Sequence, residues 1–288
     1  MRQIRRRDGG YILVSVLVVM ALLAALMAAT LSLGRVNAGA AIDEVARLKA
    51  DALTEAGLEL AAFELFDRSL DPHGVNGQQV RFDGGTVVLF VRSPAGRIDL
   101  NAAEPEMLAA LYRLIGGKAL SPDAFAARVV DWRDADGDTG KGGAEAADYA
   151  SMKLAWRPDD REFQSVDDLK ALAGLPADEF QRILPYVTVF NPGGKLDVLE
   201  APAEVLRLAS GLRPAQVEQL VRLRSKPNEA NLAAIDELVG GDNKSLAVAV
   251  RNIFEVTLEV HPATGPVRRD VVIVGRDRSG NRPFLRLG

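Results

Sequence analysis

The sequence predicts an α+β chain: a long N-terminal helix packed on a small antiparallel sheet, with a large helical domain inserted in the sheet. Three observations predict it. Residues 11–34 carry no charge and run into an amphipathic pattern that continues to Phe66. Short β-branched runs at hairpin spacing stand on both sides of the remaining chain, within residues 79–100 and 254–287. The stretch between them is helical by pattern. With 48% hydrophobic residues in 288, the chain can bury a core and is not disordered. The absence of cysteine excludes disulfides, thiolate metal sites and a cysteine nucleophile. Two distant histidines, His73 and His261, leave little for a zinc site or a triad. A formal charge of −4 argues against a nucleic-acid partner.

Arg2, Arg5, Arg6 and Arg7 precede the uncharged run. As a helix, that run rises about 1.5 Å per residue, enough to cross a hydrocarbon core of about 30 Å. The positive-inside rule then places the N-terminus in the cytoplasm and the rest of the chain across the membrane. A secretory signal peptide is the competing reading, with Ala24-Ala25 and Ala28-Ala29 imitating a cleavage site. Against it, Gly9-Gly10 lies before the apolar run. The helical pattern also continues unbroken through Ile42, Val45, Leu48, Leu53, Leu60 and Phe63.

A basic leader ending at Gly10, followed by an apolar helix from Tyr11, resembles type IV prepilins and type II secretion pseudopilins. The resemblance implies that a prepilin peptidase cuts between Gly10 and Tyr11 and methylates the new N-terminus. Major pilins carry Glu at the fifth mature position, where this chain has Ser15. A subunit without that carboxylate cannot offer it to a neighbour, which fits a filament cap.

After Phe66, Asp71-Pro72 and Asn76-Gly77 are turn signals. Residues 79–82, 86–91 and 97–100 read as three short strands, and 254–260, 267–274 and 282–287 as three more. The insert, residues 101–250, opens with Asn101 as an expected helix N-cap. Residues 196–206 echo residues 98–108: Ile98-Asp99-Leu100 against Leu196-Asp197-Val198. This is a weak duplication, compatible with two related helical hairpins. Residues 161–189 resemble helix-hairpin-helix modules, whose turn amides face a DNA phosphate. Here Pro176 removes an amide and Asp178-Glu179 repel phosphate, so the scaffold is expected without a DNA site.

Between these lies a glycine-rich loop holding Asp131, Asp134, Asp136, Asp138 and Glu145, with Asp148 just after. Carboxylates this close repel one another unless a cation joins them, and hard oxygen ligands select calcium. Asp134, Asp136, Asp138 and Glu145 match positions 1, 3, 5 and 12 of an EF-hand loop, though Thr139 stands where that loop needs glycine. A solvated acidic loop is the alternative. Trp132 and Tyr149 bracket the loop with anchoring aromatics.

Three segments, 96–103, 130–136 and 163–169, taken in order with the leader and Ser15, resemble the minor pseudopilin K family of type II secretion systems. The resemblance covers nearly the whole chain. It implies a pilin-like fold with a helical domain inserted in its sheet, no enzymatic activity, and a tip complex with minor pseudopilins I and J. It also implies calcium in the insert, with Asp131, Asp134, Asp136, Asp138, Glu145 and Asp148 as the ligand pool. The expected organisation is a leader at 1–10, a transmembrane half-helix at 11–34 and an amphipathic half at 35–66. The first part of the sheet follows at 67–100, the insert at 101–250 and C-terminal strands at 251–288. The expected role is priming of pseudopilus assembly for protein export, from a single-pass inner-membrane anchor with the C-terminal domain in the periplasm. The rival readings are a type IV minor pilin and a membrane-anchored DNA receptor.

Overall fold

The computed structural model describes residues 9–70, 72–155, 157–158, 161–208, 212–241, 243–248, 252–277, 279 and 282–287. Residues 1–8 of the expected leader lie outside it, as do the side chains of Tyr11, Ile12, residues 32–40 and His73, so the Gly10–Tyr11 cleavage expectation falls at the edge of the described residues. Helix α1 (Gly9–Ala62) runs for 54 residues and ends in a π turn, Phe63–Asp67. After a short α2 (Pro72–Val75) come β1 (Gln78–Phe82), β2 (Gly85–Arg92) and β3 (Ile98–Asp99). Helices α3 (Pro105–Leu114), α4 (Pro122–Arg133), α5 (Ala146–Ser151) and α6 (Ala177–Ile183) lead to β4 (Val187–Thr188). Then follow β5 (Leu196–Asp197), α7 (Ala203–Leu206), α8 (Pro214–Arg224), α9 (Glu229–Val239) and β6 (Leu246–Ala247). The chain finishes with β7 (Ile253–Pro262), β8 (Arg268–Gly275) and β9 (Leu285–Arg286). The main sheet has the order β1-β2-β7-β8-β9, so everything from β3 to β6 interrupts it between β2 and β7.

Two compact units divide the chain. The first comprises residues 1–60, 79–89 and 258–270. Its α1 segment buries Ala50, Leu53 and Leu58, spaced by three to five residues, as a helix lying on a sheet requires. Gly57 permits the contact. A Cβ there would lie 2.8 Å from Val87 Cγ1 and 2.9 Å from Leu258 Cδ2. Arg268 on β8 pairs with Asp51 and Asp270, and Thr54 Oγ1 donates to Asp270 at 2.8 Å. By contrast, Leu13–Leu31 has no burial at all and is long and apolar enough to cross a membrane. A helix apolar on every face needs an apolar surrounding.

The second unit comprises residues 61–78, 90–257 and 271–288. The predicted third strand, residues 97–100, is not part of the main sheet. Residues 98–99 leave the main sheet and pair in parallel with β4, Ile98 opposite Val187 and Asp99 opposite Thr188. The cause lies just upstream. Ser93 Oγ accepts from the Ala95 N–H at 3.2 Å and starts a 3-10 turn, Pro94–Gly96, that redirects the chain. Asn101 is not a helix cap. Pro105, preorganised for a first helical turn, sets the start of α3. Asn101 instead exchanges two hydrogen bonds, of 3.0 and 2.8 Å, with the backbone of Phe163.

The 98-residue echo becomes a repeated structure. β5 pairs in parallel with β6, as β3 does with β4. The Leu100 N–H donates to Thr188 O at 2.9 Å and the Val198 N–H to Ala247 O at 3.0 Å. Arg133, at the end of α4, donates to Leu100 O and Ala103 O at 2.6 and 2.8 Å. Arg224, at the end of α8, donates to Val198 O and Ala201 O at 2.9 and 2.6 Å. In each repeat an arginine on the second helix thus ties down the carbonyls that follow the first strand. Burial draws both guanidinium pKa values down, against the pull of nearby carboxylates.

Gly57 yields a prediction. Gly57→Leu gains about 1 kcal/mol of helix propensity but overpacks the contact with Val87 and Leu258. Overpacking of this kind costs roughly 1–3 kcal/mol or more. Thermal melting of the full chain should therefore show a lower Tm than wild type.

Candidate functional site

The acidic loop is held at both feet. Ser121 Oγ accepts from the Ala124 N–H at 3.1 Å to cap the start of α4. The Arg133 clamp fixes the helix end, so Asp134 is the first residue beyond it. At the other foot the Glu145 N–H donates to Asp148 Oδ2 at 2.9 Å and closes the first turn of α5. Trp132 stacks on Phe163 with centroids 5.5 Å apart and meets the edge of Tyr149 at 6.1 Å. The Tyr149 hydroxyl accepts from the Ala173 N–H at 2.9 Å. These aromatics bury both ends of the loop among the insert's core residues.

The six predicted carboxylates separate into distinct jobs. Asp134, Asp136 and Glu145 each place a ligand oxygen within 4.8 Å of the others. Asp134 Oδ1 and Glu145 Oε1 are sealed from solvent, while the Asp136 side chain is exposed. Asp131 is buried and accepts the Gly140 N–H with both oxygens, at 3.3 and 3.2 Å. Burial pushes its carboxyl up, and repulsion from Asp134 and Asp136 adds to the rise. Gly143 makes room for it, since a Cβ there would fall 1.9 Å from Asp131 Oδ2. Asp148 accepts from the Glu145 amide and, at 3.3 Å, from Thr139 Oγ1. Asp138 is exposed and stands outside the converging group. Three hard oxygen donors anchored on two helix ends suit a calcium ion better than a softer metal.

An internal carboxylate occupies two backbone amides just after α3. Glu179 Oε1 accepts from Lys118 and Ala119 N–H at 2.8 and 3.2 Å, and the Tyr112 hydroxyl donates to Oε2. Burial pushes the Glu179 carboxyl up, but these donors outweigh it and hold it below the usual value. At the helix-hairpin-helix-like turn, Gly174 takes φ +73°. The Leu175 N–H there is spent on Leu172 O at 3.1 Å. Sequence reading took Glu179 only as a repulsive charge. It missed both arginine clamps, whose signal was a basic residue in the last turn of α4 and of α8. A second surface lies on α1, where Ile42, Val45 and Leu48 are exposed at 69%, 51% and 56%.

Residues 91–192 match the family described as Type II secretion system (T2SS), protein K. Over that stretch the chain is similar to the type II secretion system protein K family. It is 30% identical over 195 residues to the Type II secretion system protein K of Pseudomonas aeruginosa, covering 62% of this chain and 57% of that one. With the protein of the same name from Pectobacterium carotovorum subsp. carotovorum it shares 25% over 162 residues, covering 52% and 49%. The matches thus span about half the length of these curated relatives. The fold is similar to a chain in the crystal structure of the GspK-GspI-GspJ complex from the enterotoxigenic Escherichia coli Type 2 Secretion System. That likeness has TM-score 0.62 and 14% identity, over 85% of this chain and 95% of the other. The α+β architecture described above, a long helix and an antiparallel sheet with many helices, is thus a fold shared with that chain.

Glu179 yields a pH prediction. Its folded pKa is lowered, so its contribution is present above the unfolded value and is lost as pH falls through the folded one. Glu179→Ala should cost about 2 kcal/mol at pH 7, the scale of hydrogen bonds to a charged group. The difference from wild type should shrink on acidification to pH 3, read by thermal melting.

Proposed function

We propose that this chain is a minor pseudopilin of a type II secretion system that primes pseudopilus assembly at the tip for protein export. The first half of α1 anchors it once in the inner membrane, and the folded part stands in the periplasm. Similarity to the protein K family, joined to a wholly unburied apolar half-helix, Leu13–Leu31, is the observation that carries the reading. Minor pseudopilins I and J are the proposed partners, supported by the composition of the similar complex. Prepilin peptidase is proposed to cut between Gly10 and Tyr11 and to methylate Tyr11.

The mechanism is geometric rather than catalytic. The apolar half-helix stores the subunit in the bilayer until partner helices extract it. The exposed row Ile42, Val45 and Leu48 offers those helices an apolar stripe, as helix pairing in water requires. The inserted helical unit is bulky for a subunit repeated along a thin filament, which favours the tip.

Within that role, Asp134, Asp136 and Glu145 are proposed to hold calcium. The ion would offset their mutual repulsion and lock the loop between α4 and α5. Asp131 and Asp148 hold the loop's backbone in readiness.

Two measurements test this reading. Mass spectrometry of the membrane-purified protein should find a mature, methylated N-terminus at Tyr11, and an unprocessed Met1 or a start beyond residue 30 would count against it. Millimolar calcium, at about a hundred times Kd, should stabilise the protein by about 2.7 kcal/mol and raise Tm by several degrees. Asp134→Asn or Asp136→Asn should abolish the rise, and Asp138→Asn should largely keep it. No rise in wild type returns the loop to a solvated acidic surface.

A further inference from the structure

A cavity of about 580 Å³ opens in the second unit, away from the acidic loop. Four chain segments wall it: the 3-10 turn after β2, the loop between β4 and β5, the start of β7, and the β8–β9 end of the sheet. Its apolar lining includes Pro94, Phe190, Ile253, Leu285 and Leu287. Two cations, Lys195 and Arg276, also line it. Among the described residues neither forms an ion pair with a carboxylate, although acidic residues outnumber basic ones, 39 to 35.

The walls are fixed rather than collapsible. Buried Asn191 donates from its amide N–H to Asp99 Oδ2 at 2.6 Å and from Nδ2 to Lys195 O at 2.9 Å. The Arg276 N–H donates to Asn252 O at 3.0 Å. Arg276 Nη2 donates to Phe66 O at 2.5 Å, with its guanidinium 5.6 Å from the Phe66 ring centroid. Arg276 thus keeps a positive charge at a set position with donors to spare. Pro94 and Pro192 stiffen two of the rims. A preformed concave site of this size with few polar groups is the usual form of a binding pocket.

We propose that this pocket docks an extended segment of a partner protein in which an apolar side chain is flanked by carboxylates. The apolar side chain fills the space between Phe190, Ile253 and Leu285. Its acidic neighbours meet Lys195 and Arg276 at the rim, where complementary charge fixes register and selects the partner. A segment that needs one buried anchor and two rim charges binds weakly by itself and gains from the tethering of both chains to one assembly.

The test uses the full chain in lipid nanodiscs and a fluorescein-labelled peptide, acetyl-Asp-Asp-Leu-Phe-Asp-amide, read by anisotropy. Saturable binding is expected, at least tenfold tighter than that of the same peptide with Lys for Asp. Lys195→Glu should reverse the preference. Gly193→Trp should block binding by filling the space, because a Cβ at Gly193 meets nothing within 4 Å. Each variant must melt like wild type, and if Gly193→Trp does not fold, the charge reversal at Lys195 decides. Equal affinity for both peptides, no binding at millimolar peptide, or indifference to Lys195→Glu would overturn the proposal. So would saturable, Lys195-dependent binding of dodecanoate without binding of the acidic peptide, which would make the pocket a lipid site.

Discussion

Asp99 accepts hydrogen bonds from three backbone amides, those of Asn101, Ala102 and Asn191, while almost wholly out of water. Burial pushes its carboxyl up, and the three amides pull it back. The same device recurs through the insert. Asp197 accepts from Leu199, Asp131 from Gly140, Asp168 from Gln164 and Ser165, and Glu179 from Lys118 and Ala119. Short helices leave many backbone donors without an intrahelical partner, and a buried donor left unmet costs about 1–3 kcal/mol. A unit made of so many short helices depends on finding acceptors from inside. The two arginine clamps answer the matching problem for orphan carbonyls.

This constraint also bears on which amides stay open to a ligand. A loop amide that faces an internal carboxylate is not available to a phosphate. At the helix-hairpin-helix-like turn the Leu175 N–H is met by the Leu172 carbonyl, and Glu179, further along, takes the amides of Lys118 and Ala119. The constraint also gives the acidic loop a sharper meaning. Two of its carboxylates, Asp131 and Asp148, accept backbone amides of the loop, while Asp134, Asp136 and Glu145 bring oxygens within 4.8 Å of one another.

Much of the architecture was legible in the sequence. The uncharged run and its amphipathic continuation predicted α1 nearly to its end, because helical periodicity over that length has few rival explanations. The 98-residue echo was read as a weak repeat, and it is weak because the repeat lives mainly in backbone pairing and the placement of Arg133 and Arg224. Residues 97–100 misled because β-branched residues suit any strand and cannot say which sheet receives it. Asn101 misled because a good capping residue also serves as a clasp for distant backbone. The sequence offered all six carboxylates as one pool, and separating the two that hold backbone amides from the three that converge needed the positions of the amides of Gly140 and Glu145.

Helix α1 joins two environments in one element, unburied from Leu13 to Leu31 and packed on strands at Leu53, Gly57 and Leu58. Between these regions, Ile42, Val45 and Leu48 are apolar, exposed and free of any role in the first unit's own core. The proposed assembly role rests on that row more than on any other surface. Because the chain has no cysteine, a single Leu48→Cys introduces a unique thiol. Disulfide crosslinking in membranes, against partner pseudopilins carrying one cysteine in the corresponding part of their own long helices, tests the role most directly. Crosslinks are expected from Leu48→Cys, Val45→Cys and Ile42→Cys and few from Asp43→Cys on another face. Equal crosslinking from Asp43→Cys, or none from the row, would contradict it.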